Sequence, residues 1–475
     1  MQEKYRLPSG DQNQRLALPL LPSVGKLAAM LSTVLLIACG SGGSSANATA
    51  NTPTPNSAVT TPTPNPNLTP NEPVSMLHTE GTYWVRANNR PIQLKGVNLG
   101  NWLIQEFWMM GQGSAGIDDQ CKLEAKLDQR FGYAERDRLY RLYRDNWMKT
   151  RDWDMIAKFG LNAVRLPFIW SVIEDEKNPG NLRSDAWLYL DQAIAEAEKR
   201  GIFVILDLHG AVGSQGWEHH SGCAGKNLYW STPEYQQRTV WLWQQVAARY
   251  KDRAAVAGYS LLNEPWGTSE TEMARVVKGL YDAVRAVDTN HVIILPGHAA
   301  GINAYGNPAQ AGMKNVAFEM HFYPGFFGWS QPGLAVHKDW LYCGSSGNGG
   351  VCEWNARLKS LNTAFLVGEF QPWAAMGADA GGQVTRTTFD VYASYGWAST
   401  AWSYKLLTNN GGQGNGTWGL VTNAPDSKIP ALDFNTASLA EIEVLFKQFG
   451  SVNYEPQQAV MNWMTSTTAP NPFNR

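Results

Sequence analysis

Glu264 and Glu369 each stand at the end of a short apolar run. The first run is Tyr259-Ser260-Leu261-Leu262, broken by Asn263-Glu264-Pro265; the second is Ala364-Phe365-Leu366-Val367-Gly368, followed by Glu369-Phe370. Both have the length and composition of strands buried on two faces, as in parallel sheets. Proline ends ladder pairing and restrains the residue before it, so Glu264 is expected to be held extended at the C-terminal end of its strand. A single strand-end glutamate is usually a solvated charge. Two of them over one mouth of a parallel barrel make a carboxyl pair suited to catalysis, because barrel active sites lie at that face.

The elements that must bring them together follow from an alternation of buried strands and amphipathic helices. A small hairpin is expected from 83–86 and 91–94, around Asn88-Asn89. Barrel strands are expected at 94–98, 163–166, 203–208, 258–262, 292–295, 316–320, 366–367 and 399–402. Helices are expected over 136–147, 152–159, 185–199, 272–287 and 439–449, with another opened by Ser231-Thr232-Pro233-Glu234 and running to Tyr250. This order predicts a (β/α)8 TIM barrel with an N-terminal β-hairpin and long βα loops, among them the Trp- and Gly-rich segment 323–353.

Almost every strand end delivers a polar or aromatic group to the same mouth. Asn98, Asn101, Trp102 and Glu106 follow the first strand, Arg165 ends the second, and Asp207 and His209 end the third. Asn263 and Glu264, His321 and Tyr323, Glu369 and Trp402 follow in turn. The ordered set resembles glycoside hydrolase family 5 over most of residues 90–410. Within that family it is most similar to exo-β-1,3-glucanases, through Gly96-Val97-Asn98-Leu99-Gly100-Asn101-Trp102-Leu103 with Glu106, and Asp207-Leu208-His209-Gly210-Ala211 with Gly213-Ser214-Gln215.

The resemblance implies Glu264 as acid/base, protonated at rest, and Glu369 as an ionised nucleophile beside Arg165. It further implies that Arg165, His209, Asn263, His321, Tyr323 and Trp402 line the subsite of the cleaved sugar, with Glu106 on its outer hydroxyls. The implied activity is retaining cleavage of β-glucan from the end of a β-1,3-linked chain, with no cofactor and no metal. Glu218 with His219-His220 makes a poor metal site, since adjacent histidines rarely share one ion. The chain departs from that subgroup at Gly216-Trp217-Glu218-His219-His220-Ser221-Gly222, where Asn-Gly-Phe-Asp-Asn-Ser-Gly is the usual run. Endo-acting β-1,4- or β-1,6-glucanase and β-mannanase therefore stay open, as does a non-catalytic glycan-binding surface lipoprotein.

The rest of the chain bounds the setting. Lys plus Arg number 39 and Asp plus Glu 41, a near-neutral balance that points to neither nucleic acid nor an acidic polymer as partner. The 20 Trp and 18 Tyr offer flat faces for sugar rings, although most must serve the core. Residues 27–38 are an apolar run too short to span a bilayer and suited to a signal peptide. Its ending, Leu36-Ile37-Ala38-Cys39, resembles a bacterial lipobox and implies lipidation at Cys39. The expected plan is a signal peptide over 1–38, a Thr/Pro/Gly/Ser-rich tether over 39–75 and a catalytic barrel over 76–475. That describes an exported monomer anchored to a bacterial cell surface or outer membrane. Four cysteines remain, an even number that suits disulfides outside the cytosol. Cys343 and Cys352 flank a Gly/Ser loop and are expected to pair, leaving Cys121 with Cys223.

Overall fold

The computed structural model describes residues 73–297, 301–325, 333–344, 350–373, 378–413 and 418–473. The expected signal peptide, Cys39 and all but the end of the expected tether lie outside them. An antiparallel hairpin comes first, β1 (Leu77–Glu80) with β2 (Tyr83–Arg86), turning at Gly81 with φ 59°. This corrects the hairpin expected around Asn88-Asn89. The segment after that turn meets β2 over one Val85–Pro91 bridge, where Arg86 N donates to Arg90 O and Ile92 N to Trp84 O, both at 2.9 Å, too short a pairing to make a strand.

Eight strands then form the barrel: β3 (Lys95–Asn98), β4 (Ala163–Ile169), β5 (Phe203–Gly210), β6 (Val256–Ser260), β7 (Val292–Pro296), β8 (Val316–Phe322), β9 (Ala364–Phe370) and β10 (Ala398–Ala401). Each pairs in parallel with the next, and β10 closes on β3. The helices are α1 (Gln120–Phe131), α2 (Tyr133–Trp147), α3 (Thr150–Lys158), α4 (Leu188–Glu198), α5 (Pro233–Tyr250), α6 (Glu270–Arg285), α7 (Gly333–Tyr342), α8 (Gly350–Leu361), α9 (Ala378–Ser394), α10 (Leu439–Ser451) and α11 (Gln458–Thr465). Every residue of β4, β5, β6, β7 and β9 is buried, which is why those strands read as mainly apolar runs.

The hairpin plugs the N-terminal end of the barrel. Leu77, Trp84, Ile92 and Leu94 pack on the strand starts at Ala163, Phe203, Val292 and Ala364, and Trp84 Nε1 donates to Phe365 O at 3.0 Å. Polar strand ends therefore gather at the opposite mouth. Beyond the barrel, β11 (Val421–Asn423) pairs antiparallel with β12 (Tyr454–Pro456). Disulfides join Cys121 to Cys223 and Cys343 to Cys352, the expected pairing. No described helix is long and apolar enough to cross a membrane.

Candidate active site

Glu264 is delivered by a chain that has left its ladder. The pairing of β6 ends at Ser260, short of the expected Leu262. Leu261 N still donates to Ile294 O at 3.2 Å and Asn263 N to Leu208 O at 3.0 Å, so the backbone stays threaded between its neighbours. Gln215 straps it down, its Nε2 donating to His209 O at 2.7 Å and Asn263 O at 2.8 Å. Glu264 itself has φ 39°, in the left-handed region, which corrects the extended conformation expected before Pro265. That conformation costs a non-glycine residue about 1–3 kcal/mol and persists only where its surroundings over-determine it.

Arg165 organises the floor from β4, wholly buried. Its nitrogens lie 3.1 Å from Glu369 Oε1, 3.1 Å from Asn98 Oδ1, 2.7 Å from Asn263 Oδ1, 2.9 Å from Asp207 Oδ1 and 2.9 Å from Glu319 Oε1. Burial opposes the charge, yet Asp207, Glu319, Glu369 and Glu264 outweigh it and hold the guanidinium well above its ordinary range. Asp207 also accepts from His209 Nδ1 at 2.7 Å, and the His209 ring lies flat on Trp402, centroids 5.4 Å apart at 10°.

The two glutamates face each other across His321. Its Nδ1 is 2.7 Å from Glu264 Oε1 and 3.4 Å from Glu369 Oε2, and its Nε2 is 3.2 Å from Glu319 Oε1. Tyr323 OH donates to Glu369 Oε2 at 2.7 Å. One oxygen of each glutamate and one nitrogen of His321 all lie within 4.8 Å of one another. Burial opposes a charge on His321, but Glu369, Glu264 and Glu319 raise it to about 10, so the ring is cationic. Glu369 is pushed up to about 7, by burial first and by the charge of Glu264, against His321 and Arg165. Facing carboxyls titrate as a pair. The rise therefore belongs to Glu264 and Glu369 together, and the proton that the sequence leads one to expect on Glu264 is held by the pair. Among the described residues these three groups are also the cluster with metal-type donors.

Glu106 reaches the mouth from the loop after β3. Its Oε2 accepts from Trp108 Nε1 at 2.7 Å and lies 3.1 Å from His219 Nε2. Burial opposes its ionisation, but His219, bonded to it, holds its pKa below the ordinary value. Trp108 packs edge-on against Trp418, and Trp418 against Tyr323, centroids 6.2 and 5.5 Å apart. An arc of contacts thus runs from His219 through Glu106, Trp108, Trp418 and Tyr323 to Glu369.

Arg165, His209, Asn263, Glu264, His321, Tyr323, Glu369, Trp402 and Glu106 therefore meet at one mouth, whereas Trp102, expected with them, turns away to donate to Arg144 O and pack on Tyr189. Two more belong with them that were not singled out by the sequence. Glu319 bonds Arg165 and His321 and accepts from Ser260 Oγ at 2.5 Å. Its signal was its place two residues before His321, on the same side of β8. His220 comes to 3.0 Å from Glu264 Oε2, and no local pattern announces which loop side chain turns inward.

Fold and site define a closed parallel (β/α)8 barrel with a buried carboxyl pair at its C-terminal mouth. Residues 132–406 match the family model for cellulase (glycosyl hydrolase family 5), and the chain belongs to that family. It is similar to a protein named beta-xylosidase from Phanerodontia chrysosporium, 30% identical over 257 residues, covering 53% of this chain and 53% of that protein. It is also similar to a glucan 1,3-beta-glucosidase from Blumeria graminis, 31% identical over 257 residues, covering 50% of this chain and 57% of that protein. The chain spans about half the length of the curated relatives it matches. The rutinosidase from Aspergillus niger superposes with TM-score 0.54 at 16% identity, over 69% of this chain and 95% of that one, a likeness of fold.

Proposed function

We propose that the protein is a retaining glycoside hydrolase acting on β-glucan, and that it releases sugar from the ends of β-1,3-linked chains. The observation that carries this reading is the carboxyl pair itself, with oxygens of Glu264 and Glu369 within 4.8 Å of one another across His321. Retaining pairs stand about 5 Å apart, whereas inverting pairs stand further off to admit a water. Glu369, as carboxylate, attacks the anomeric carbon while Glu264 gives its proton to the departing oxygen. Glu264 then takes a proton from the water that displaces Glu369 and frees the sugar. Arg165, Tyr323 and His321 aim Glu369. Asn263 is suited to hold the sugar's 2-hydroxyl, His209 and Glu106 other hydroxyls, and Trp402 a ring face.

The Blumeria relative's name supports glucose in β-1,3 linkage, and the arc from His219 to Glu369 suits a mouth closed on one side. The Phanerodontia relative's name makes a β-xyloside the second substrate to try. Disulfides support an exported protein, and the lipobox-like Cys39 and the tether support a surface anchor, with 76–475 as the catalytic unit. The test is a time course of products from linear β-1,3-glucan with the full chain, using Glu369→Gln as control. Glucose alone from the first minutes is expected. A ladder of oligosaccharides would replace end-wise with internal cleavage, and no product would reject the β-1,3 assignment.

A further inference from the structure

The acid/base carboxyl is contacted by imidazole on both of its oxygens. His321 Nδ1 holds Oε1 at 2.7 Å, and His220 Nε2 lies 3.0 Å from Oε2. His220 sits in the short turn His219–Ser221, within the loop that departs from the exo-glucanase pattern and is tied to α1 by Cys121–Cys223. Ser221 Oγ donates to Glu218 O at 2.8 Å and fixes that turn from inside.

The tautomer of His220 follows from its neighbours. Arg165 donates to Asn263 Oδ1, which turns the amide nitrogen of Asn263 towards His209 Nε2 at 3.3 Å and His220 Nδ1 at 3.4 Å. An amide NH2 only donates, so both ring nitrogens are acceptors. The proton of His220 then sits on Nε2, the nitrogen beside Glu264. Burial keeps the ring neutral, lowering its pKa to about 4 although Glu264 pulls the other way.

We propose that His220 is a positioning residue for Glu264, donating from Nε2 to Oε2 whenever Glu264 is a carboxylate. The proposal rests on the hydrolase reading above and deepens it. At rest the N–H lies 3.0 Å from Oε2. In the first step Glu264 passes its proton to the departing oxygen, becomes a carboxylate, and is caught by His220. In the second step it takes a proton from water and is released. His220 keeps its own proton throughout. The charged and titratable groups around the pair are Arg165 on β4, Asp207 and His209 on β5, Glu319 and His321 on β8, Glu369 on β9, and Glu106 and His219 on the loops.

The test compares the full-length wild type with His220→Phe and His220→Gln on two β-glucosides of the same sugar, one with a nitrophenol leaving group and one with an alcohol. A nitrophenolate departs without a proton, so only the alcohol depends fully on Glu264 as acid. His220→Phe is expected to lose about tenfold more kcat/KM on the alcohol glycoside than on the nitrophenyl one. Without the donor the Glu264 carboxylate is less stable, so the falling limb of its pH profile moves to higher pH. His220→Gln keeps a donor and should recover much of the loss. Equal losses on both substrates with an unmoved limb would mark His220 as structural and overturn the proposal. A wild type that turns over neither glucoside nor xyloside would overturn the hydrolase reading instead. Nitrogen NMR of wild-type His220 is independent of how the variants fold. It should show the neutral Nε2–H tautomer near neutral pH, and an Nδ1–H tautomer or an imidazolium would also overturn the proposal.

Discussion

Glu369 is a buried carboxyl with two cations and one carboxyl for company, and its titration follows from that. Burial and Glu264 push it up to about 7, and His321 and Arg165 pull it down. In the proposed role of nucleophile it must be ionised, so kcat/KM should rise with pH up to about 7. Glu264→Gln removes the neighbouring negative charge, leaving burial alone to raise Glu369 against both cations, so the pKa of Glu369 should fall. Carbon NMR of its carboxyl, compared between wild type and variant, checks the sign; an unchanged or higher value would contradict it. Much of the site was legible at this scale, since His209, Asn263, Glu264, His321, Glu369 and Trp402 lie at or just beyond the ends of apolar runs, and Arg165 is a charge set within one. Glu319 was less so because it lies within the run of β8, where a charge is masked by its apolar neighbours. The left-handed Glu264 was not legible at all, because the strap by Gln215 that helps hold it is a contact made only in the fold.

The barrel strands were legible because burial on both faces writes itself as a mainly apolar run. Their ends were less so: the run through Leu262 outlasts the pairing of β6, since the chain there stays buried between neighbours without joining the ladder. Helix α1 escaped notice because it buries only Gln120, Leu123 and Leu127, too thin a stripe to show a period. It matters nonetheless. Cys121 near its start holds Cys223, and Cys121 N donates to Gly222 O at 2.9 Å, so α1 anchors the loop that carries His219 and His220. The bridge spans a sequence separation of 102. Removing such a cross-link costs about 2–5 kcal/mol, so the double variant Cys121→Ser, Cys223→Ser should unfold at lower denaturant. Small misplacements of catalytic groups cost up to about a hundredfold, and the double variant should lose about tenfold or more in kcat/KM. Unfolding curves and kinetics read the two effects separately. Full activity in a destabilised variant would show that α1 does not position the site.

Over the whole molecule, one end of the barrel is closed by apolar packing under the β1–β2 hairpin, and the other gathers the polar strand ends. The fold class was legible from alternation alone, and the carboxyl pair from its place in that alternation. Linkage and mode of attack were not. They depend on how the loops bearing Trp108, His219 and Trp418 close over the mouth, and loop contacts leave no period in a sequence. The central claim is that Glu369 attacks the sugar and carries it covalently. It is tested most directly by incubating the full chain with a 2-deoxy-2-fluoro-β-glucoside bearing a good leaving group, then mapping the labelled peptide by mass spectrometry. One fluoroglucosyl group on Glu369 is the expected result, with activity lost in step with labelling. A label on another residue, or loss-free turnover with no label at all, would contradict the account.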